Sequence, residues 1–224
     1  MTEPRWGRLG AVCGILFAAL FTVGVMLPDH PNGEDATQAA VTAFYADSDN
    51  RVTVIVAMYV LMLAGIAFLG FISSLYRGLR EAEGASGSLA IVALAAGVVF
   101  VVMLNATGVA WATVAAGIEF GGNSLADIEN PIWFGSLGDI SLMIHGMFAA
   151  IVVIVATSAL ALRTAALPRW LAWTGFACAF LLIFSFVFMP MIALPVWAVA
   201  TSVAMLKHPA AQSQRAAQPA SVAA

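Results

Sequence analysis

His145 and Asn105 are the two side chains of this sequence whose chemistry is hardest to reconcile with their surroundings. His145 lies in the apolar run Ser136–Leu162, SLGDISLMIHGMFAAIVVIVATSALAL, and Asn105 in the apolar run Leu89–Ile118. A polar group set among hydrocarbon is costly and by default raises a functional question. An imidazole can ligate haem or relay a proton, and a carboxamide can orient a ligand, so both residues are candidates to line a cofactor or ligand site. The plainer expectation is structural. Asn105 stands 13 residues from the end of its run and His145 stands 9 from the start of its own, so antiparallel neighbours would carry them at overlapping depth. A hydrogen bond between such helices contributes about 0.6–2 kcal/mol, which suits a clip between them, with a hydroxyl or carbonyl as the other possible partner of His145.

The remaining polar groups yield less. A bis-histidine haem needs a second axial ligand, and His30 and His208 fall in a loop and in the C-terminal tail on opposite sides, so no cofactor is expected. Met143, His145 and Met147 could be drawn as a copper-type cluster, but methionine usually fills irregular gaps between packed helices. Cys13 and Cys178 fall inside apolar runs as small buried hydrophobes, and neither a disulfide nor a metal site is expected. Asp139 and His145 are six residues apart, about 240° around an α-helix, so they do not share a face. Asp139 is instead read as the third residue of a helix opened by Ser136, where a carboxylate complements the dipole. Thr107, Ser141, Thr157, Ser158 and Ser185 can bond back to their own helix carbonyls.

The elements that position these residues follow from composition. Of 224 residues 62% are hydrophobic and 9% charged, against about 45–50% and about 25% in an ordinary soluble domain. A bilayer crossing takes about 20 mostly apolar residues, so the chain reads as a single all-α domain, a polytopic transmembrane bundle over 1–206. Six spans are expected, at about 9–27, 52–76, 89–118, 137–162, 170–189 and 191–206. Five is the alternative, because 170–206 could be a single crossing. The split into two helices is expected at Met189–Pro195, where Pro190 and Pro195 remove backbone donors. The first run is longer than a secretory h-region of about 7–15 residues and ends at Pro28 without a cleavage site, so it reads as a retained helix. The polar stretch 28–50 contains Asp35 and Gln38 at capping-box spacing, followed by the apolar stripe Ala39, Ala40, Val41, Phe44 and Tyr45. A short amphipathic helix, about 36–47, is expected on the outer face. The tail 207–224 is polar, low in complexity and expected to be disordered.

Charge orients the bundle. With six spans, eight of the nine basic residues fall on one side, Arg51 being the exception, and nine of the twelve acids fall on the other side or at its helix ends. The positive-inside rule then makes both termini cytoplasmic. Trp133-Phe134 and the Arg5-Trp6 and Arg169-Trp170 pairs have the character of interfacial anchors.

Enzyme signatures are missing from the sequence: there is no H-E-x-x-H, no Gly-x-Ser-x-Gly, no second aspartate segment to accompany Gly138-Asp139, and no phosphate-binding glycine loop. One ligand-like pocket is expected on the outer side, between the helix at 36–47, the Trp133-Phe134 loop and the Pro190/Pro195 hairpin.

Three segments carry a resemblance. Ala43 to Asp47 (Ala-Phe-Tyr-Ala-Asp) closes a long acidic loop. Leu75 to Gly84 (Leu-Tyr-Arg-Gly-Leu-Arg-Glu-Ala-Glu-Gly) forms a charged turn, and Leu162 to Trp173 (Leu-Arg-Thr-Ala-Ala-Leu-Pro-Arg-Trp-Leu-Ala-Trp) enters the fifth span. Together they resemble a family of uncharacterised multi-pass membrane proteins common in actinobacteria. The resemblance covers nearly the whole chain and implies six helices in the bacterial plasma membrane, with no activity or catalytic residues to carry over. The expected function is a non-enzymatic accessory or interaction protein of the inner membrane. Its expected partner is the lipid bilayer, with another membrane protein as the candidate protein partner, and no nucleic acid is expected. A binder or carrier of a small hydrophobic ligand and an intramembrane enzyme are the alternatives.

Overall fold

The computed structural model describes residues 3–29, 31, 37–84, 87–128, 130–164, 167–185 and 189–207, and among these every regular element is helical. In chain order the elements are α1 (Glu3–Met26), α2 (Gln38–Ala46), α3 (Ser48–Glu83), α4 (Ser88–Glu119), a single 3₁₀ turn (Leu125–Asp127) and α5 (Ile132–Ile140). A π-turn (Ser141–Gly146) leads from α5 directly into α6 (Met147–Thr164), followed by α7 (Arg169–Leu182), a second 3₁₀ turn (Met189–Ile192) and α8 (Ala193–Lys207). Five stretches are long and apolar enough to cross a membrane: Gly7–Met26, Ser48–Glu83, Ser88–Glu119, Ile132–Thr164 and Pro190–Lys207. The apolar helix Arg169–Leu182, with 14 residues, falls short of that length.

Several boundaries differ from the sequence expectation for physical reasons. The charged segment Tyr76–Glu83 is a continuation of α3, because apart from Gly78 most of its residues, Arg77, Leu79, Arg80, Glu81, Ala82 and Glu83, are good helix formers, and no proline or left-handed residue breaks the ladder before Gly84, which takes φ 74°. At 36 residues α3 is about 54 Å long, well beyond a hydrocarbon core of about 30 Å. Helix α2 is capped by the Thr37 hydroxyl, which accepts from the Ala40 amide at 3.2 Å, while Asp35 and the tail from 208 onward lie outside the described residues. The split between the last two helices comes at Leu182, earlier than expected. Pro190 sits in the 3₁₀ turn and Pro195 is inside the first turn of α8, where its missing amide costs no ladder bond.

The helices pack as antiparallel neighbours through close approaches at small residues. A Cβ on Gly10 would strike Ser74 of α3 and lie 3.5 Å from Met205 of α8, and one on Gly14 would strike Ser202 of α8. At the other end of α1, Phe21, Val25 and Met26 line one small cavity together with Met191, Ile192 and Pro195. Helices α1 and α8 therefore run side by side in opposite senses, and the start of α1 lies at the same end of the bundle as the finish of α8. The same kind of contact pairs Gly97 with Ile72 and Gly108 with Met58 between α3 and α4.

Aromatic rings fill the centre: Phe17 of α1, Phe68 and Phe71 of α3, Phe100 of α4 and Trp197 of α8 are all at most 2% exposed. Phe17 and Phe68 meet edge-on at 4.7 Å, and Phe71 meets Trp197 edge-on at 5.9 Å. The bundle's outer surface carries Leu63, Ile66, Val102, Val109, Phe148 and Phe180, each more than half exposed. An apolar belt of this extent is stable against lipid and not against water.

Candidate functional site

The polar chemistry of the bundle collects where α2, α4 and α5 meet. Two backbone features build the junction. Asp47 ends α2 and caps α3 by accepting from the Asp49 amide at 2.9 Å, so α2 folds back over the end of the bundle. Arg51 holds it there: Nη1 donates to the carbonyls of Tyr45 (2.8 Å) and Ala46 (3.0 Å), and Nε donates to Glu119 at 2.6 Å. Among the described residues the one basic side chain at that end, Arg51, is thus neutralised by an ion pair with the last residue of α4 and satisfies the carbonyls at the end of α2.

Underneath, Val41 and Tyr45 of α2 pack on Ile55, Val114 and Ala115, with Phe44, Ile132 and Phe134 alongside. The space expected to form a pocket beside the Trp133-Phe134 loop is therefore filled by side chains at Phe134, while Trp133 points outward, 70% exposed. The Tyr45 hydroxyl donates to the Trp111 carbonyl at 3.1 Å, the Trp111 indole N–H donates to Asp139 at 3.1 Å, and the Thr107 hydroxyl lies 2.9 Å from the Met103 carbonyl and 3.1 Å from that of Gly138. Burial, with the Asp139 charge adding to it, pushes the Tyr45 phenol up to about 12. Because the folded state keeps a proton that the unfolded chain releases near pH 10, Tyr45 contributes stability that is complete below pH 10 and is lost as pH rises toward 12. Ultraviolet titration should show a late-ionising phase whose amplitude falls in Tyr45→Phe. A late phase of unchanged amplitude in Tyr45→Phe would refute the assignment.

Asp139 is not the third residue of a helix. The helix begins at Ile132 after Pro131, Ser136 lies inside it and donates to the Ile132 carbonyl at 3.2 Å, and Asp139 falls in the last turn of α5. Proline at a helix start was the available signal for this boundary.

His145 and Asn105 share a depth, as their spacing predicts, yet they do not pair. A Cβ on Gly146 would lie 3.6 Å from the Met103 Cβ, which puts His145 level with the segment Met103–Asn105. The face differs: His145 is exposed on the outside of the bundle. In an uninterrupted α-helix, residues 138, 142, 145 and 149 share one face. Here Gly138, against Trp111 and Thr107, and Gly146, against Met103, both face α4, and the wide turn Ser141–Gly146 absorbs one residue between them. Gly146 thereby takes the inward place that α-periodicity assigns to His145. Asn105 lies instead against Gly65 of α3, with Nδ2 3.4 Å and Oδ1 3.7 Å from where a Cβ would be, and its Oδ1 is buried without a donor.

Met147 is fully buried while His145 points outward, so the two do not converge on one ion. Among the described residues no three His, Cys, Asp or Glu side chains are grouped to hold a metal. His30 and His208 lie outside the described residues. The hydroxyls of Ser136, Thr107 and Ser185 donate to backbone carbonyls, Ser185 to Met143 at 2.6 Å, so the cluster as built is a latch between helices. Comparison with protein-family models, with curated proteins and with solved structures gives no match.

Proposed function

We propose that this chain is a multi-pass protein of the bacterial plasma membrane, both termini cytoplasmic, of the uncharacterised actinobacterial type it resembles. In this reading it acts without catalysis, as an accessory protein that a membrane partner engages on the flank around His145. The observation that carries the reading is the outward imidazole. His145 sits in a helix that is apolar and long enough to cross a membrane, on a surface it shares with Ile140, Ile144 and Phe148, each about half exposed. An imidazole facing lipid lacks a hydrogen-bond partner, and a helix from a second protein with a hydroxyl, amide or carboxylate at that depth supplies one. The orientation is supported by charge. Arg8, Arg77, Arg80, Arg163, Arg169 and Lys207 belong to the end where α1 starts and α8 finishes, and Asp47, Asp49, Glu119 and Asp127 to the other.

A photoreactive residue in place of Phe148, activated in intact cells, should give a discrete protein adduct. That adduct should weaken in His145→Leu and be absent when the probe replaces Ile66, which is 65% exposed on α3. Adducts to lipid alone at both positions would sink the proposal.

One observation favours a second reading. Phe21, Thr22, Val25, Met26, Met191, Ile192 and Pro195 line an apolar cavity of about 50 Å³. That is room for the end of a hydrocarbon chain, far below the roughly 300–1,000 Å³ of a typical ligand pocket, so a bound small apolar molecule ranks behind a protein partner.

A further inference from the structure

Hydroxyls elsewhere along the helix formed by α5 and α6 are spoken for, since Ser136 donates to the Ile132 carbonyl and Thr164 to that of Leu160. Neither Ser141 nor His145 bonds to another described residue. The two look the same way. Gly138 and Gly146 both face α4; Ser141 comes three residues after the first and His145 one before the second, so both turn from α4 in the same sense, by about 60° and at most about 100°. The wide turn Ser141–Gly146 brings this about, because in an uninterrupted α-helix His145 would face α4. Such turns forfeit α-helical geometry and occur mostly at functional sites. Beyond the polar pair the stripe continues through Phe148, Val152 and Val155, all exposed, to the half-buried Ala159. From 141 to 159 its steps alternate between four and three residues, the spacing with which parallel helices interlock along a seam.

We infer that the partner on this flank is a second copy of the chain, related by a two-fold axis along the membrane normal. The inference rests on the accessory-protein reading, which places a protein around His145, and it names that protein. A copy inserts with the same topology, so its Ser141 and His145 stand at the same depth and its stripe runs parallel to the first. In a two-fold pair each residue meets its own counterpart or a neighbour one layer away. The chemistry is self-complementary: a neutral imidazole offers one N–H donor and one nitrogen acceptor, and a hydroxyl offers both. The two His145 rings face each other across the axis, one N–H donating to the bare nitrogen of the other, with the Ser141 hydroxyls one turn away. Phe148, Val152 and Val155 add apolar layers, and no charged residue interrupts the chain between Ser141 and Ala159. Hydrocarbon supplies neither donor nor acceptor, and an unrelated helix has to match depth and bonding independently. A copy matches both by construction.

Cross-linking in native membranes tests this with the full chain, Cys13 and Cys178 replaced by Ala, co-expressed as two forms with different C-terminal tags. Phe148→Cys, and separately Val155→Cys, should give a disulfide dimer carrying both tags under a membrane-permeant oxidant, because the two-fold axis brings each position to its counterpart. Ile66→Cys on α3 and Phe180→Cys on α7, exposed elsewhere on the bundle, should stay monomeric. No dimer at the stripe positions, or equal dimer at all four, overturns the inference. Energy transfer between labelled copies, followed as they are diluted into lipid vesicles, reads the role of His145. His145→Leu should weaken association about 3- to 30-fold, the factor carried by one hydrogen bond between membrane helices, while His145→Gln, which retains a donor and an acceptor, should stay near the wild type. His145 faces outward, so neither substitution disturbs the core. Equal association in all three chains, or as large a loss in His145→Gln as in His145→Leu, overturns the inference. The tags also separate this failure from that of the accessory reading. A discrete Phe148 photo-adduct that contains only one tag identifies a different partner and overturns the second copy alone, whereas adducts to lipid alone sink both.

Discussion

Replacing Phe68 by Ala should lower the stability of the folded bundle by about 2–3 kcal/mol. Phe68 is fully buried, meets Phe17 of α1 at 4.7 Å and Phe100 of α4 at 4.8 Å, and lies 5.9 Å from Phe71 on its own helix. Its ring is therefore the common contact of three helices. Lipid tails are as apolar as the core, so moving the ring between them gains little transfer energy, and what is lost is dispersion contact. A void of roughly 100 Å³ at about 24 cal/mol per Å³ gives about 2.4 kcal/mol, and the loss of the edge-on contact with Phe17 and the tilted one with Phe100 adds to it. Ile66→Ala on the same helix, at a position 65% exposed, is the control and should be near neutral. Unfolding in mixed micelles measures both. Equal losses at the two positions would mean that the aromatic cluster does not hold the helices together.

The second large effect belongs to Gly138. A Cβ there would strike the Trp111 ring and come within 3.2 Å of the Thr107 carbonyl oxygen. Neither neighbour is the free end of a flexible chain. Trp111 is 4% exposed and tied to Asp139 through its indole N–H, and the carbonyl belongs to α4 itself. Gly138→Leu must therefore push α5 from α4, break the Trp111–Asp139 and Thr107–Gly138 bonds together, and cost about 3 kcal/mol or more, at the upper end for overpacking. Because the obstruction is mainly the indole, the same substitution in a Trp111→Ala background should cost much less, a non-additive result diagnostic of direct contact. Fully additive losses in the double variant would place the strain elsewhere.

The contrast between Gly138 and His145 shows what sequence periodicity can reach. The all-helical architecture follows from composition, because only helices satisfy their own backbone groups over runs of this length and apolarity. The short helix over the acidic end was legible too, as the apolar stripe around Val41 and Tyr45, although the residue that caps it is Thr37. The common depth of Asn105 and His145 also followed, since rise per residue is nearly constant and short connections force antiparallel neighbours.

What the sequence could not decide was rotation about the helix axis. Depth accumulates slowly along a helix, but facing changes by 100° per residue, so one residue absorbed in the turn Ser141–Gly146 moves His145 from the core to the flank while leaving its depth nearly unchanged. That turn has no local signature. It is set by Gly138 seating under Trp111, by Gly146 seating on Met103 and by Ser185 reaching the Met143 carbonyl, contacts between residues tens of positions apart. The early end of α7 at Leu182 and the pairing of Arg51 with Glu119 are of the same kind. Composition and spacing determined that this chain is an apolar helical bundle and how deep its polar groups lie. Tertiary packing alone decided which way they face, because facing depends on where a single residue is accommodated and only neighbouring helices determine that.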